Sequence, residues 1–285
     1  AASDVYKRQL FGQLGDADHL PHTLQPEYAF TRGQAEHGEE LANHLEQLIL
    51  LHDASTIAAV IVEPVSGSAG VIVPPQNYLQ RLRQICNEHN ILLIFDEVIT
   101  GFARMGATFA AQTFGVTPDI LNVAKGLTNG AIPMGAVMSS RVLYDAFMAV
   151  EQAEHMIELP HGYTYSAHPV ACAAALAALD ILQDDNMVGR SNALAPVLED
   201  SLHGLRGSKH VTDIRNFGLA GALQLAPRDG DPIVRPFEVG LRCWEKGLYV
   251  RWGGDTLQFA PPFIAAPEQI QNMATTVAEA IEETA

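Results

Sequence analysis

The stretch Ile91-Leu92-Leu93-Ile94-Phe95-Asp96-Glu97-Val98 decides the fold of this chain. Its five leading apolar residues are typical of a strand that is buried on both faces, as strands of parallel sheets are. The apolar run ends directly in two carboxylates, so charge lies at the carboxyl end of the strand. In open α/β sheets, that edge is where ligands bind. The stretch therefore predicts a buried strand that brings Asp96 to a ligand site.

A second apolar strand precedes this one and supports a parallel pairing. Residues Ile57–Val62 are apolar throughout and end at Glu63. Between the two strands, residues 77–90 have apolar side chains at the spacing of a helix. A strand, a helix and a strand in this order predict a right-handed crossover and a parallel sheet.

Two further strands are predicted downstream, at Ile120–Ala124 and Met134–Ser139. The first of them is followed at once by Lys125 and a glycine-rich turn. Because parallel strands end at the same edge of a sheet, we expect Glu63, Asp96 and Lys125 to lie close together there.

Lysine is scarce in this chain, which makes Lys125 stand out. Only four of the 17 lysine and arginine residues are lysines, and Lys125 alone follows an apolar strand. Desolvation at such a position would lower the pKa of the amine toward reactivity. The alternative is a lysine at a strand end that simply reaches solvent, and the spacing leaves both interpretations open.

A carboxylate and a single amine at neighbouring strand ends suit pyridoxal phosphate (PLP). Asp96 would keep the ring nitrogen of the cofactor protonated, so that the ring withdraws electrons. Lys125 would hold the cofactor's aldehyde as a Schiff base. These two roles predict chemistry on amines.

Other ligand motifs are weaker. Residues Gly101–Gly106 have the glycine spacing of a phosphate loop but lack the following lysine and hydroxyl residue. No GxGxxG follows a strand and no serine has the G-x-S-x-G context, which disfavours dinucleotide binding and serine hydrolysis. His19 and His22 are separated by a proline and have no nearby partner, so we expect no metal site.

The segment Tyr163–Pro169 has two interpretations. Its hydroxyls precede a predicted alanine-rich helix, Pro169–Leu182, and could bind a phosphate at the helix N-terminus. Alternatively, Ser166 or a neighbour caps that helix. The sequence alone favours neither.

Composition excludes several classes of function. The chain has 285 residues with 48% hydrophobic content, enough for a substantial core. A net charge of −16 disfavours nucleic acid as a partner, since phosphate backbones need clustered basic residues. No apolar run is long enough to span a membrane, and three distant cysteines suit reduced thiols. We expect a cytoplasmic protein that acts on small molecules.

The pattern of elements changes near Asn186, which predicts two domains. Residues 1–9 resemble a translated adapter remnant, and we expect the natural protein to begin further upstream. Residues 10–185 would form a PLP-binding large domain and residues 186–285 a small α+β domain. In the latter we predict helices at Met187–Leu205, Phe237–Lys246 and from Pro267, and strands at Val211–Ile214, Leu219–Leu225, Leu248–Trp252 and Thr256–Ala260.

Several motifs, in order, resemble the class III (ω-) aminotransferases of PLP fold type I. They include Phe95–Phe102 (FDEVITGF), Ala124–Gly126 (AKG), Thr164–Pro169 (TYSAHP) and Gly253–Phe259 (GGDTLQF). Within that class, the segment 128–137 resembles most the β-alanine:pyruvate, or ω-amino acid:pyruvate, subgroup. The resemblance implies an α/β fold with a mostly parallel sheet in the large domain and a smaller α+β C-terminal domain.

The resemblance also implies residue roles. Lys125 would be the Schiff-base lysine and proton carrier, and Asp96 would pair with the pyridine nitrogen. Val98 would pack on a face of the ring, and Thr164 would reach the phosphate of the partner subunit's cofactor. On the substrate side we expect Glu63 and Arg251, with Arg251 binding a substrate carboxylate; the alternative for Arg251 is a surface residue at a strand end.

The expected function is PLP-dependent transfer of an amino group from an ω-amino acid or primary amine to pyruvate. The partners would be an amino donor, a ketoacid and a second copy of the chain, in a homodimer or higher homo-oligomer. The family's phosphate loop and stacking aromatic residue would lie upstream of Leu10. Alternatives are a racemase or aminomutase on the same scaffold, and a non-catalytic truncated fragment.

Overall fold

A computed structural model describes residues 17–150, 155, 159, 161–228 and 231–284. The leader that we expect at residues 1–9 lies outside this part of the chain. Among the described residues the strands form two four-stranded sheets, with β1 Ala59–Val62, β2 Leu92–Asp96, β3 Ile120–Val123, β4 Ala136–Ser139, β5 Val211–Phe217, β6 Ala220–Leu225, β7 Arg251–Gly253 and β8 Thr256–Phe259.

Nine α-helices are found in the same ranges. They are α1 Glu39–Ala42, α2 His44–His52, α3 Tyr78–Glu88, α4 Ala110–Phe114, α5 Arg141–Met148, α6 Pro169–Asp184, α7 Met187–His203, α8 Val234–Glu245 and α9 Pro267–Glu282. No helix in the described ranges combines the length and apolar character that a membrane crossing would require.

The first sheet has the order β1-β2-β3-β4 and is mostly parallel, as predicted. β1, β2 and β3 pair in parallel, and β4 is antiparallel to β3. One face is covered by α3, whose Leu79, Leu82 and Ile85 belong to the same buried core as Leu93 and Phe95. Alternation along the strands sends these side chains to one side, so α3 and the sheet stabilise each other.

The opposite face of this sheet is open over the described part of the chain. Ile61 in β1 is 58% exposed and Val137 in β4 is 71% exposed. The buried Val60 and the exposed Ile61 are neighbours, so the two sides of β1 differ sharply in their cover.

The second sheet is antiparallel throughout, with the order β5-β6-β8-β7. It shares a buried core with α7, α8 and α9, whose centre includes Leu198, Leu223, Val239, Leu257 and Val277. Almost all of β6 is buried, on both faces, because Ala220 and Ala222 pack with the first half of the chain. The second sheet is therefore covered on both sides.

Arg104 links the loop after β2 to the second half. Its guanidinium donates to the backbone oxygens of Leu219 at 2.9 Å and Pro261 at 2.8 Å, and lies 4.4 Å from the ring centre of Phe263. Desolvation lowers the pKa of Arg104 to about 10. These contacts satisfy a cation that lies largely within protein.

Several predicted boundaries need correction. The first two helices, α1 and α2, are separated only by Asn43. β1 and β4 begin two residues later than predicted, because only their last four residues pair with a neighbouring strand. The strand expected from Leu248 begins at Arg251 for the same reason.

Sequence periodicity missed α4 and α5, which are short. α4 has five residues and ends at Gly115, whose φ of 64° suits a glycine after a helix. α5 begins after Ser140, whose hydroxyl accepts a hydrogen bond from the amide of Leu143. Glycine and serine at these positions were the available signals.

Candidate active site

The carboxyl ends of β1 and β2 bring two carboxylates to one edge of the first sheet. Val62 pairs with Phe95 in the parallel register, so the next residues, Glu63 and Asp96, lie beside each other. Neighbouring strands are about 4.8 Å apart in a sheet. The predicted proximity of these residues therefore follows from the observed strand pairing.

Asp96 is well placed to present its carboxylate in a fixed orientation. It is the last residue of β2 and is only 6% exposed. One of its oxygens accepts a hydrogen bond of 3.1 Å from the backbone amide of Val98. Val98 itself is half-buried directly beyond the carboxylate. The second carboxylate oxygen makes no hydrogen bond within the described part of the chain.

Lys125 begins a 3₁₀ turn, Lys125–Thr128, just beyond β3. Its φ of 45° lies in the left-handed region, which is uncommon for residues with a side chain. Such a backbone is held only where the surroundings fix it, often at functional sites. The turn rests on a small buried cluster of Phe102, Val123, Leu127 and Ala175. Gly126 lies so close to Phe102 that a Cβ atom there would be 2.8 Å from the phenylalanine Cβ.

The Lys125 side chain is exposed, as in the interpretation in which the lysine reaches solvent. The strand before it is buried, but the turn carries the lysine past the edge of the sheet. Partial desolvation nevertheless lowers its pKa, and the positive charge of Arg251 adds to this effect. Glu63 and Asp96 act in the opposite direction. Lys125 therefore lies within electrostatic reach of Glu63, Asp96 and Arg251.

Glu63 is half-buried and anchors a loop. Its carboxylate accepts a hydrogen bond of 3.1 Å from the amide of Gly67. Desolvation raises the pKa of Glu63; the Gly67 amide opposes this rise, Asp96 adds to it and Lys125 opposes it. The pKa of Glu63 therefore depends on the charges and hydrogen-bond donors that lie beside its carboxylate.

Arg251 lies at the start of β7, where its side chain is exposed. It pairs in register with Gln258 of β8. The side-chain amide of Gln258 donates to the backbone oxygen of Ser68 at 3.0 Å, so the β7–β8 hairpin touches the loop that follows β1. The structure thus brings Arg251, from the second sheet, to the edge formed by Glu63, Asp96 and Lys125.

Thr164 lies on an exposed turn before α6. Its side chain makes no hydrogen bond in the described ranges. The alternative prediction that Ser166 caps α6 is wrong. The N-cap residue is His168, and Pro169 fills the first helical position. The Ser166 hydroxyl instead accepts a hydrogen bond of 3.3 Å from the amide of Tyr163.

Sequence reasoning missed the role of Glu97. This residue is fully buried, and its carboxylate accepts hydrogen bonds from the amides of Ala110 at 2.6 Å and Ala111 at 2.8 Å. Thr100 donates a third, at 3.0 Å. Desolvation raises the pKa of Glu97, while these donors oppose the rise. Glu97 therefore holds the loop after β2 against the start of α4, although its spacing gave no signal for this.

The residues at the edge fit pyridoxal phosphate by their chemistry. Asp96 offers a fixed carboxylate oxygen that has no partner among the described residues, which suits a protonated ring nitrogen. Lys125 offers an amine with a lowered pKa, which suits an aldehyde. Asp96 pairs in register with Asn122 of the adjacent strand β3, three residues before Lys125.

Comparison with known proteins identifies the family. The model of the class III aminotransferases matches residues 2–281, and this chain belongs to that family. The predicted resemblance and fold class are thus confirmed. The family implies pyridoxal phosphate as the cofactor.

Two curated members of the family show high sequence identity to this chain. A β-alanine–pyruvate aminotransferase of Pseudomonas aeruginosa is 66% identical over 275 residues, which cover 96% of this chain and 61% of the relative. An ω-amino acid–pyruvate aminotransferase of Pseudomonas putida is 59% identical, covering 96% of this chain and 62% of its own length. This chain spans about three fifths of the curated relatives that it matches.

A solved structure agrees with this similarity. The PLP-bound form of an amine transaminase from an uncultivated Pseudomonas species superposes with a TM-score of 0.82 at 38% identity. The match covers 87% of this chain and 58% of the other.

Proposed function

We propose that the protein containing this chain transfers an amino group from an ω-amino acid or a primary amine to pyruvate, with pyridoxal phosphate as cofactor. The observation that carries the proposal is the meeting of Asp96, Lys125 and Arg251 at one sheet edge. It agrees with the names of the two curated relatives, which act on β-alanine or ω-amino acids together with pyruvate.

When bound, the cofactor supplies an electron-withdrawing ring that makes the substrate's C–H bond next to nitrogen acidic. Asp96 would orient the ring and keep its nitrogen protonated, and Val98 would pack on one face. Thr164 would bind the phosphate of the partner subunit's cofactor. The exposed position of Thr164, with its side chain unused by the described residues, supports a role toward another subunit.

Lys125 would have two tasks. Its Nζ would hold the cofactor through the aldehyde group while no substrate is bound. As a neutral amine, Lys125 would also serve as general base and acid, taking a proton from the substrate carbon and giving it back. A lowered pKa favours this role, because a larger fraction of the amine is neutral near physiological pH.

Arg251 would bind the carboxylate of pyruvate and of ω-amino acids. A guanidinium offers a bidentate, charge-assisted contact that no neutral side chain replaces. Its position on an exposed hairpin would let the side chain turn away for amines that lack a carboxylate. Glu63 would line the substrate side of the same edge.

We also propose a homodimer or higher homo-oligomer, and a division into domains at residues 185 and 186. The two sheets fall on either side of that boundary, which supports the division. Exposed apolar side chains near Thr164, such as Tyr165 at 81% and Val170 at 61%, support a subunit contact there.

Arg251→Ala tests the substrate assignment in the complete protein supplied with cofactor. The variant should lose about 10- to 100-fold in kcat/KM for β-alanine and pyruvate, since charge-assisted hydrogen bonds contribute about 1.5–3 kcal/mol. The amine half-reaction with propylamine, which replaces the carboxylate of β-alanine by a methyl group, should be spared.

Arg141→Ala is the matched control, because the Arg141 side chain is 80% exposed and contacts Asp145 and the ring of Tyr144 on its own helix. Equal losses with both donors would show that Arg251 supports the fold rather than selecting substrate. Formation of alanine from pyruvate separates transamination from the racemase and aminomutase alternatives. A correctly folded complete protein that forms no alanine would contradict the proposal.

A further inference from the structure

The loop that follows β1, residues Ser66–Ile72, is here called the β1 loop. Its two ends pair with each other through reciprocal backbone hydrogen bonds of 3.0 Å between Ser66 and Ile72. Gly67 packs against Ile99 so closely that a Cβ atom would lie 2.8 Å from the isoleucine side chain. Glu63 holds the same glycine through its amide. The β1 loop is therefore fixed to the edge that carries Asp96.

Two backbone oxygens of the β1 loop face the second sheet. The oxygen of Gly70 accepts a hydrogen bond of 2.9 Å from the guanidinium of Arg215 in β5. The oxygen of Ser68 accepts one of 3.0 Å from Gln258 in β8. Because a carbonyl oxygen only accepts, the amide nitrogen of Gln258 must be the atom that faces Ser68. The contact therefore depends on a donor at position 258.

Gln258 and Arg251 are direct partners in the β7–β8 hairpin. Directly paired residues of antiparallel strands place their side chains on the same face, about 5 Å apart at Cβ. The guanidinium of Arg251 in turn lies within electrostatic reach of Lys125. A contact that fixes Gln258 thus fixes the strand position from which Arg251 reaches the site.

We propose that Gln258 is a positioning residue for Arg251, because it fastens the β7–β8 hairpin to the β1 loop that Glu63 anchors. Gln258 touches neither substrate nor cofactor in this account; it sets the place of the residue that binds the substrate carboxylate. The proposal rests on the proposed function, since it requires that Arg251 bind a carboxylate. It adds a residue whose side chain acts through a backbone contact 190 positions away in sequence.

A double-mutant cycle in the complete protein tests this role. The variants are Gln258→Leu, Arg251→Ala and the two combined, and the donors in the amine half-reaction are β-alanine and propylamine. Gln258→Leu removes the hydrogen bond to Ser68 at similar volume. It should lower kcat/KM for β-alanine by about 3- to 10-fold more than for propylamine, through KM rather than kcat. In the Arg251→Ala background this selective loss should disappear.

Binding of propionate, measured by calorimetry, gives a readout that needs no turnover. Gln258→Leu should weaken propionate binding by a similar factor, again only while Arg251 is present. The matched control is Gln269→Leu, which also removes one hydrogen bond between a glutamine side chain and the backbone, at Ala266. That control should leave both donors and propionate unaffected.

Equal losses with both donors, or a Gln258→Leu effect that persists without Arg251, would overturn the positioning role while leaving the proposed function intact. If Arg251→Ala itself fails to distinguish β-alanine from propylamine, the substrate part of the proposed function falls, and the positioning role falls with it. Thermal unfolding of each variant shows whether a loss reflects a damaged fold.

Discussion

Two clusters of charged residues, one on each sheet, use their hydrogen-bonding capacity very differently. In the second sheet, Asp213 and Arg215 form a buried ion pair at 2.5 Å, each side chain being about 9% exposed. Arg215 also donates to Gly70 and Gln224, and Asp213 accepts from two backbone amides. Nearly every polar atom of this pair has a partner within the protein.

At the carboxyl edge of the first sheet, the charged side chains use little of their hydrogen-bonding capacity within the described part of the protein. The Lys125 amine makes no hydrogen bond within the described ranges, and Glu63 and Asp96 each accept one from a backbone amide. The Lys125 side chain is exposed, so its amine can bond solvent or a ligand, and Glu63 and Asp96 each keep acceptor capacity that a ligand could use. A charged cluster with satisfied partners holds a structure together, whereas one with spare capacity can bind and react.

Asp96→Asn should give the largest effect on activity. The asparagine keeps an amide oxygen for the Val98 amide, so the fold should remain, but a neutral amide cannot keep a ring nitrogen protonated. We expect turnover to fall by more than about 1,000-fold, beyond the roughly 160-fold that one charged hydrogen bond of up to about 3 kcal/mol accounts for. Steady-state kinetics on the complete protein measure the loss.

Thermal unfolding should show little change in the Asp96→Asn variant. Asp145→Asn, at an exposed surface pair, is the control with the same chemical change. An Asp96→Asn protein that retains most of its rate would place the electron-withdrawing role elsewhere.

Asp213→Asn makes the same chemical change in the second sheet, where we expect a loss of stability instead. Removing one partner of a fully buried ion pair costs about 3–5 kcal/mol. Because Gly70 and Gln224 still accept from Arg215, we expect a smaller loss of about 2 kcal/mol. Urea unfolding measures it. The comparison between the two sheets fails if Asp213→Asn leaves the free energy of unfolding unchanged.

Lys125, beside the first sheet, and Lys246, in the second half of the chain, extend this comparison. Desolvation lowers the pKa of Lys125, whereas hydrogen bonds to Glu283 and Glu279 raise that of Lys246. Amine reagents attack the neutral form, so Lys125 should be modified at a lower pH than Lys246. Mass spectrometry of acetylated peptides across a pH series, without cofactor, checks the order. The same midpoint for both lysines would contradict the distinct environment of Lys125.

The sequence was sufficient to predict which charged residues lie at the carboxyl ends of strands in the first sheet. Apolar runs that end in a charged residue follow directly from parallel strands buried on both faces, so Glu63, Asp96 and Lys125 could be placed together from pattern alone. The sequence left open whether the Lys125 side chain is desolvated or reaches solvent. In the structure it is exposed, because the turn after β3 carries the side chain beyond the edge. A turn's direction depends on packing against Phe102, which no local pattern encodes.

Contacts between distant parts of the chain were beyond sequence reasoning. Glu97 holds amides on a helix of five residues, and Gln258 holds a backbone oxygen on the β1 loop. Neither contact leaves a periodic or compositional trace, because its partner is a backbone atom that any residue would supply. The Glu97 contact becomes visible only when the end of β2 and α4 are seen together, and the Gln258 contact only when the two sheets are.

Reduction of the complete, cofactor-loaded protein with borohydride tests the central claim most directly, that Lys125 is the residue that holds the cofactor. Borohydride makes the bond between lysine and cofactor permanent, and peptide mapping then locates it. We predict one modified lysine, Lys125. A modified Lys209 or Lys246, with Lys125 unmodified, would contradict the account.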